Sequence, residues 1–111
     1  MLDKLPAELW EDQSKTFLDN SCGNGNFLVA VLRRKLAKGH DSRQALATIF
    51  GVDLMPDNVE ECRHRLLELI EDTPDGVDPV HYAIVEQNIV CHDALTYDYS
   101  FGRKAKFEFG L

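Results

Sequence analysis

Residues 16–27 read TFLDNSCGNGNF, and this stretch carries the clearest structural signal in the chain. It opens with a β-branched and apolar run, Thr16–Leu18, and two glycines follow at Gly23 and Gly25. A run of this kind that enters a glycine turn is typical of a strand. From Asn26 onward the apolar residues recur at the spacing of a helix. The stretch therefore predicts a strand, a tight turn and a helix in succession.

The rest of the chain continues this alternation. The other predicted elements are a helical turn at Leu5–Glu11, a helix stop at Gly39, a short helix at Arg43–Thr48, a strand at Ile49–Leu54, a helix from Pro56, a loop at Thr73–Pro79, a strand region formed by Ala83–Val85 and Asn88–Cys91, and a last strand at Phe107–Leu111. Strands joined by helices indicate a parallel α/β sheet. We expect a reduced Rossmann-like α/β fold, a parallel sheet of three to four strands in the order 1-2-3 with flanking helices, and Phe107–Leu111 as the candidate strand beside strand 1.

Length and composition fit a single globular domain. The chain has 111 residues, 44% hydrophobic and 28% charged, so we expect one domain spanning 1–111. No apolar run approaches the roughly 20 residues that span a bilayer, and no basic region followed by an apolar run opens the sequence. We therefore expect no membrane association and a cytoplasmic location. The net charge of −7 argues against tight DNA binding by this chain alone, because such binding needs Lys and Arg to neutralise phosphates.

The cysteines predict free thiols. Cys22, Cys62 and Cys91 are odd in number and show no CxxC spacing, which indicates a reducing compartment. The segment Cys91–Asp93 comes nearest to a metal motif, but adjacent strand residues point to opposite faces. Because structural zinc needs about four converging ligands, we expect no metal site.

The glycine turn can place backbone N–H groups against a ligand. Two glycines one residue apart let the chain bend sharply without a Cβ in the way. The helix that follows offers unpaired N–H groups and a positive dipole end to an anion such as an amino-acid carboxylate. A dinucleotide fingerprint would need a third glycine where Leu28 stands, and a P-loop would need Gly-Lys-Ser/Thr, so both are disfavoured.

The segment Asp19–Phe27 resembles the first motif of adenine-N6 DNA methyltransferases, D-P-A/S-C-G-S/N-G-N/T-F, especially that of restriction modification subunits. It departs at Asn20, where the family usually has proline. The resemblance implies S-adenosyl-L-methionine (SAM) as cofactor, with Asp19 near its amino group and the backbone of Gly23 to Gly25 near its methionine part. The other cofactor contacts predicted in this segment are Ser21, Asn26 and Phe27, and Phe27 would pack beside the cofactor.

The next two strand ends agree with the family's motif order. In parallel α/β sheets ligands bind beyond the carboxyl ends of the strands, and a carboxylate there, Asp53, can accept both ribose hydroxyls. By the resemblance, Leu54 would lie against the adenine ring. Residues Asn88–Leu95 resemble the third motif, in which Asp93 would take the adenine amino group with Ala94 beside it. Two plainer roles stay open: Asp53 caps a helix, and Asp93 starts a turn.

The family's fourth motif, [D/N/S]-P-P-[Y/F/W], holds the target amine and the flipped base. It is absent from residues 1–111, since no proline follows Pro79. We therefore predict no catalytic residue and no methyl transfer by this chain alone. Without the further strands of a whole methyltransferase, strand 1 would be a sheet edge open to pairing. We expect a homodimer or a protein partner that completes the sheet, and contact with DNA only through it.

Two functional classes follow from the sequence. The first is a SAM-binding protein that resembles DNA adenine-N6 methyltransferases and needs a partner or further residues for activity. The second is a non-catalytic interaction module, a phage- or restriction-associated decoy or regulator that kept the methyltransferase fold and uses its acidic surface. An enzyme that consumes SAM by another route is a weaker third option, because the sequence offers no convincing acid–base pair.

Overall fold

The described part of the chain contains three strands and four helices. The structure is a computed structural model, and it describes residues 15–101. In chain order the elements are β1 (Phe17–Asp19), α1 (Asn26–Ala37), α2 (Ser42–Ala47), β2 (Ile49–Asp53), α3 (Pro56–Glu71), α4 (Pro79–Asn88) and β3 (Ile89–Cys91). The predicted turn at Leu5–Glu11 and the predicted strand at Phe107–Leu111 lie outside the described residues.

The strands form one parallel sheet in the order β1-β2-β3, with β2 at the centre. Leu18 of β1 lies opposite Phe50 of β2, and Val52 of β2 lies opposite Val90 of β3. The expected fold class is confirmed: a reduced Rossmann-like α/β fold with a three-stranded parallel sheet and flanking helices. Because the strands are parallel, their carboxyl ends lie at the same edge of the sheet.

α1 begins at the predicted residue, Asn26, and the predicted stop, Gly39, lies two residues after its last residue, Ala37. Gly39 has a left-handed φ of +87°, its amide donates to the Leu36 carbonyl at 3.0 Å, and the His40 amide donates to the Lys35 carbonyl at 3.1 Å. These two bonds form the Schellman arrangement that closes a helix C-terminus. A residue with a Cβ would be strained in this conformation, so Gly39 acts as the helix stop.

Capping and periodicity also place α2 and α3. The Asp41 carboxylate caps α2 by accepting a hydrogen bond from the Gln44 amide at 3.0 Å. α3 begins at Pro56, whose missing N–H would be unpaired in the first turn in any case. The stripe that α3 buries consists of Val59, Cys62, Leu66 and Ile70.

The strand predicted at Ala83–Val85 is wrong, because these residues lie in α4, and β3 spans only Ile89–Cys91. The reason lies at the start of the helix. The Asp78 carboxylate accepts a hydrogen bond from the His81 amide, and His81 Nδ1 accepts one from the Asp78 amide, each at 3.1 Å. This capping box, with Pro79 in the first turn, stabilises a helix in spite of the β-branched residues that follow.

The two faces of the sheet are covered differently. On one face, a Cβ at Gly51 of β2 would lie 2.8 Å from Leu28 Cδ1 of α1. Since side chains alternate along a strand, Phe50 points to the other face, where its ring centroid lies 4.8 Å from that of Phe101. Phe101 is buried, whereas Leu18 on the same face is 50% exposed. The chain after β3 therefore folds back over this second face and leaves part of it accessible.

The longest helix is α3, with 16 residues, and it carries many charged side chains. Among residues 15–101, no helix is both long enough and apolar enough to cross a membrane.

Candidate functional site

The loop between β1 and α1 is a series of short turns. Asp19 Oδ1 accepts a hydrogen bond from the Ser21 amide at 3.0 Å, and the Gly25 amide donates to the Cys22 carbonyl at 2.8 Å. Gly23 and Gly25 have left-handed φ angles of +52° and +91°. α1 then begins without a side-chain cap from Gly25 and without an acidic residue in its first turn. The positive end of this helix dipole therefore lies at the loop.

α3 holds this loop in place. A Cβ at Gly25 would lie 2.8 Å from Cys62 Sγ and 3.2 Å from Cys62 Cα, a distance that only glycine allows. Arg65 donates from Nη1 to Asn26 Oδ1 at 2.7 Å and to the Asn24 carbonyl at 3.2 Å. The side chain of Asn26, a predicted cofactor residue, thus takes part in a contact between the loop and α3.

Asp53 joins the ends of β1 and β2. Its Oδ2 accepts a hydrogen bond from the Gly23 amide at 2.8 Å, and its Oδ1 accepts from the Met55 amide at 2.9 Å and from Asn58 Nδ2 at 3.2 Å. Partial burial raises the pKa of the Asp53 carboxyl, but the bonds from Met55, Gly23 and Asn58 outweigh it and hold this pKa below its ordinary value. Asp53 is therefore an ionised acceptor at neutral pH.

Much of the acceptor capacity of Asp53 is used within the chain. A carboxylate offers about four lone-pair positions, and three hydrogen bonds occupy this one. Asp53 orders the first turn of α3 through Met55, which is the N-cap residue of that helix. The helix-capping role that the sequence left open is thus present. A ligand hydroxyl would use the remaining position or replace the Gly23 amide.

The segment after β3 is also bound to Asp53, through a backbone hydrogen bond. The His92 amide donates to the Asp53 carbonyl at 2.9 Å. Asp93 follows as an exposed residue, and its Oδ1 accepts a hydrogen bond from the Leu95 amide at 2.9 Å. The turn-forming role that the sequence left open for Asp93 is therefore observed.

Large apolar side chains are exposed next to these acids. Leu54 is 66% exposed, Met55 is 54% exposed and Leu95 is 93% exposed. Leu54 and Met55 directly follow Asp53, and Leu95 lies two residues after Asp93. Exposed apolar surface beside polar groups is typical of a binding surface.

Some of the predicted site residues are in contact with one another, whereas others make contacts away from the strand ends. Gly23, Asp53 and the backbone at His92 are joined directly. Phe27, by contrast, is partly buried and packs against the hydrophobic core. The carbonyl of Ala94 accepts a hydrogen bond from the Tyr99 hydroxyl at 2.8 Å, which ties the loop after β3 to the returning aromatic segment.

A cavity of about 450 Å³ lies away from the strand ends. It is lined by Val29 and Arg33 of α1 and by residues at the end of α3 that include Arg65, Glu68 and Glu71. Its walls carry both charge signs, so no single class of ligand is indicated. Arg65 connects this cavity to the glycine loop, since the same side chain binds Asn24 and Asn26.

A second polar cluster, which the sequence analysis missed, lies at the starts of α2 and α4. His81 Nε2 lies 3.0 Å from Ser42 Oγ, and His81 Nδ1 lies 3.0 Å from Asp78 Oδ1. These are the residue types of a hydrolase triad. The two contacts of Nδ1 call for different protonation: as the acceptor of the Asp78 amide at 3.1 Å it leaves the ring proton on Nε2, whereas as a donor to Asp78 Oδ1 at 3.0 Å it carries a proton itself. In the capping-box arrangement Nε2 donates to Ser42 Oγ, so the histidine does not take the serine proton and the cluster acts as a helix cap.

Metal ligands do not converge anywhere in residues 15–101: no group of three or more His, Cys, Asp or Glu is placed to hold an ion. Comparisons of the chain with protein-family models, with curated proteins and with solved structures find no match. A functional assignment therefore depends on the residues at the strand ends and on their geometry.

Proposed function

We propose that this chain is a SAM-binding protein of the DNA adenine-N6 methyltransferase type that does not transfer a methyl group alone. One observation carries the proposal: the 2.8 Å hydrogen bond from the Gly23 amide to the Asp53 carboxylate. It joins the loop that resembles the methionine-binding motif to the acid expected to hold the ribose. Two loops that serve one ligand must lie within the length of that ligand, and these two loops are in contact.

The methionine part would lie at the start of α1. Its carboxylate would face the N-terminus of this helix, where the helix dipole favours an anion, and it would compete there with Asn24 Oδ1, which accepts from the Asn26 amide at 3.3 Å. Asp19 and Ser21 form the turn at the entrance to this loop, which suits a role for Asp19 near the amino group. Left-handed backbone at Gly23 and Gly25 lets the chain approach the ligand closely.

The adenosine part would lie across the ends of β2 and β3. The ionised Asp53 supplies the acceptor for ribose hydroxyls, after release of one of its present donors. The exposed side chain of Leu54 supplies an apolar surface for the adenine ring. Asp93, also exposed, is the proposed acceptor for the adenine amino group, with the backbone of Ala94 beside it.

Methyl transfer to adenine would need residues that these 111 positions do not contain, because the [D/N/S]-P-P-[Y/F/W] motif is missing from them. We propose that a second copy or another protein completes the sheet at β1. Within residues 15–101, β1 pairs with β2 alone and its Leu18 is 50% exposed. Light scattering should show a dimer or a complex, and a monomer at high concentration would contradict this part of the proposal.

Calorimetric titration with SAM and with S-adenosylhomocysteine tests the cofactor assignment. The wild-type chain should release or absorb heat with both ligands, and Asp53→Ala should weaken binding at least about tenfold, since it removes a charge-assisted hydrogen bond. The matched control is Asp75→Ala, which removes an exposed acid in the loop before α4. No heat and no thermal shift with wild type would sink the SAM assignment. Loss of binding that is equal in both variants would sink the role of Asp53.

A second candidate is a non-catalytic interaction module that keeps the fold without the ligand. It is favoured by the net charge of −7 and by the three hydrogen bonds that already satisfy Asp53 inside the chain. The same titration separates the two candidates. A module of this kind would show no heat with SAM but would bind a basic protein partner, and that binding would weaken as salt is raised.

A further inference from the structure

The two carboxylate oxygens of Asp53 are not equally occupied. Oδ1 accepts hydrogen bonds from the Met55 amide at 2.9 Å and from Asn58 Nδ2 at 3.2 Å, whereas Oδ2 accepts one bond, from the Gly23 amide at 2.8 Å. Because each oxygen has about two lone-pair positions, both positions on Oδ1 are taken and one position on Oδ2 is open. A ribose whose neighbouring hydroxyls bind the two oxygens of this carboxylate therefore finds a position on Oδ2 but none on Oδ1.

The two backbone donors to this carboxylate are anchored. Gly23 belongs to the loop between β1 and α1, and Arg65 of α3 binds this loop at the Asn24 carbonyl at 3.2 Å. Met55 is the N-cap residue of α3, and its own carbonyl accepts the Val59 amide at 3.2 Å. Displacement of either amide from the carboxylate would therefore shift the loop or the first turn of α3.

Asn58 can leave the carboxylate without a movement of the backbone. Its amide donates to the Met55 carbonyl at 3.1 Å, so its backbone can stay in α3 while its side chain changes rotamer. Asn58 is half-buried, so water can reach its side chain once it is released. Its bond to Asp53 is also the longest of the three. Of the three donors, Asn58 is the easiest to replace.

We propose that Asn58 competes with the ribose of the ligand for Asp53 Oδ1 and yields this position when the ligand binds. The inference rests on the proposed function, which assigns a ribose to Asp53. One hydroxyl takes the open position on Oδ2 and the other replaces Asn58 on Oδ1, while the Gly23 and Met55 amides stay bound. Asn58 is then a specificity-determining residue, because only a ligand with the second hydroxyl compensates for the bond that Asn58 loses.

The bond between Asn58 and Asp53 can be tested without a ligand. Burial raises the pKa of the Asp53 carboxyl, and the bonds from Met55, Gly23 and Asn58 lower it below its ordinary value. Asn58→Ala should therefore raise this pKa, whereas Gln44→Ala, which removes an exposed amide from α2, should leave it unchanged. NMR titration of the carboxyl carbon signals measures the pKa. An Asp53 pKa that is the same in wild type and Asn58→Ala would overturn the bond on which the proposal depends.

Calorimetric titration of the full chain with S-adenosylhomocysteine tests the competition. Asn58→Ala should bind this ligand at least about threefold more tightly than wild type, because a hydrogen bond to a charged group no longer has to be broken. Its Tm should fall, because the free chain has lost the same bond. Gln44→Ala should bind like wild type. A purely structural role of Asn58 would lower affinity and stability together, so equal or weaker binding by Asn58→Ala would overturn the proposal.

The 2′-deoxy and 3′-deoxy forms of S-adenosylhomocysteine locate the gain in affinity. One of these analogues lacks the hydroxyl that reaches Oδ1, and wild type and Asn58→Ala should bind that analogue equally well. An equal gain with the parent ligand and with both analogues would place the effect outside Oδ1 and overturn the proposal. Absence of binding by both chains would refute the proposed function and the competition with it, whereas binding without a gain would refute the competition alone.

Discussion

Arg63 of α3 donates to the carbonyl oxygen of Ile89 from two nitrogens, Nε at 2.9 Å and Nη2 at 2.6 Å. Ile89 is the C-cap residue of α4, which ends at Asn88, and the first residue of β3. The last carbonyl groups of a helix have no partner within the helix, and a guanidinium supplies one here. α3 thereby holds the junction between α4 and β3, the region in which a strand was predicted to begin at Ala83 but a helix is observed up to Asn88.

Arg63→Lys should lower the free energy of unfolding by about 1–2 kcal/mol, because a lysine cannot make two directed bonds to one partly buried carbonyl. Urea unfolding followed by circular dichroism measures it. Arg33→Lys, at an exposed position of α1, is the control and should change stability by less than about 0.5 kcal/mol. Equal effects of the two variants would show that the Arg63 bond contributes nothing.

Gly25→Ala should destabilise the chain more than Gly76→Ala. Both glycines have a positive φ, +91° and +68°, so both variants lose about 1–2 kcal/mol from backbone strain. Only at Gly25 would the new Cβ meet Cys62, whereas nothing lies within 4 Å at Gly76. We expect an extra loss of about 1–3 kcal/mol at Gly25 from overpacking, measured by urea unfolding. Equal losses in the free energy of unfolding would mean that α3 shifts to accommodate the new Cβ without cost.

Stability should fall in acid partly because of Asp53. Its pKa is below the ordinary value of 3.8 in the folded chain, so its contribution is fully present above that value and is lost as the pH falls through the folded pKa. Asp53→Asn should therefore show a shallower decline in the free energy of unfolding below about pH 4.5. Urea unfolding at a series of pH values measures this, with Asp75→Asn as control. Parallel curves for wild type and Asp53→Asn would refute the assignment.

Leu54→Ser should weaken SAM binding about three- to tenfold with little effect on stability, if adenine covers this side chain as proposed. The side chain is 66% exposed, so its removal costs the fold little. Burial of part of a leucine against a ring contributes about 1 kcal/mol. Calorimetry gives the affinity, and Val80→Ser, at an exposed position of α4, is the control. An unchanged affinity for SAM would remove Leu54 from the site.

Ser42 should not react as a catalytic nucleophile. In the capping box His81 Nδ1 accepts the Asp78 amide, and in that arrangement the ring donates to Ser42 rather than taking its proton. A fluorophosphonate reagent should leave Ser42 unlabelled, as judged by peptide mass. His81→Ala should instead lower the free energy of unfolding by about 2–4 kcal/mol, since it removes a buried side chain and a capping box. Labelling of Ser42 would show that the other tautomer is populated.

Local signals were enough for most of the fold. The left-handed Gly25 before Asn26 and the glycine stop at Gly39 set the ends of α1 close to where the sequence placed them. Pro56 and the buried stripe of α3 likewise follow from the first-turn preference of proline and from helical spacing. These features depend on neighbours in sequence, so they can be read without knowledge of the tertiary structure.

Other features depend on contacts between distant residues. The run around Val85 predicted a strand because β-branched propensity was weighed without the capping box at Asp78 and His81. The return of Phe101 onto Phe50 has no periodic signal, since it joins residues that are 51 positions apart (101 − 50). At the candidate site, the alternation of strands and helices predicted a parallel sheet whose strand ends share one edge, but not the hydrogen bond from the Gly23 amide to Asp53.

Asp53 connects three segments at the carboxyl edge of the sheet. Its Oδ2 accepts from the loop after β1, its backbone carbonyl accepts from the segment after β3, and its Oδ1 accepts from the residue that begins α3. Substitutions of Asp53 should therefore be tolerated less well than substitutions of any other polar residue at this edge, even where SAM binding is not required. At Asp53, selection for folding and selection for binding would act on the same side chain. At the exposed residues Leu54 and Asp93 a mutational scan would report mainly selection for binding.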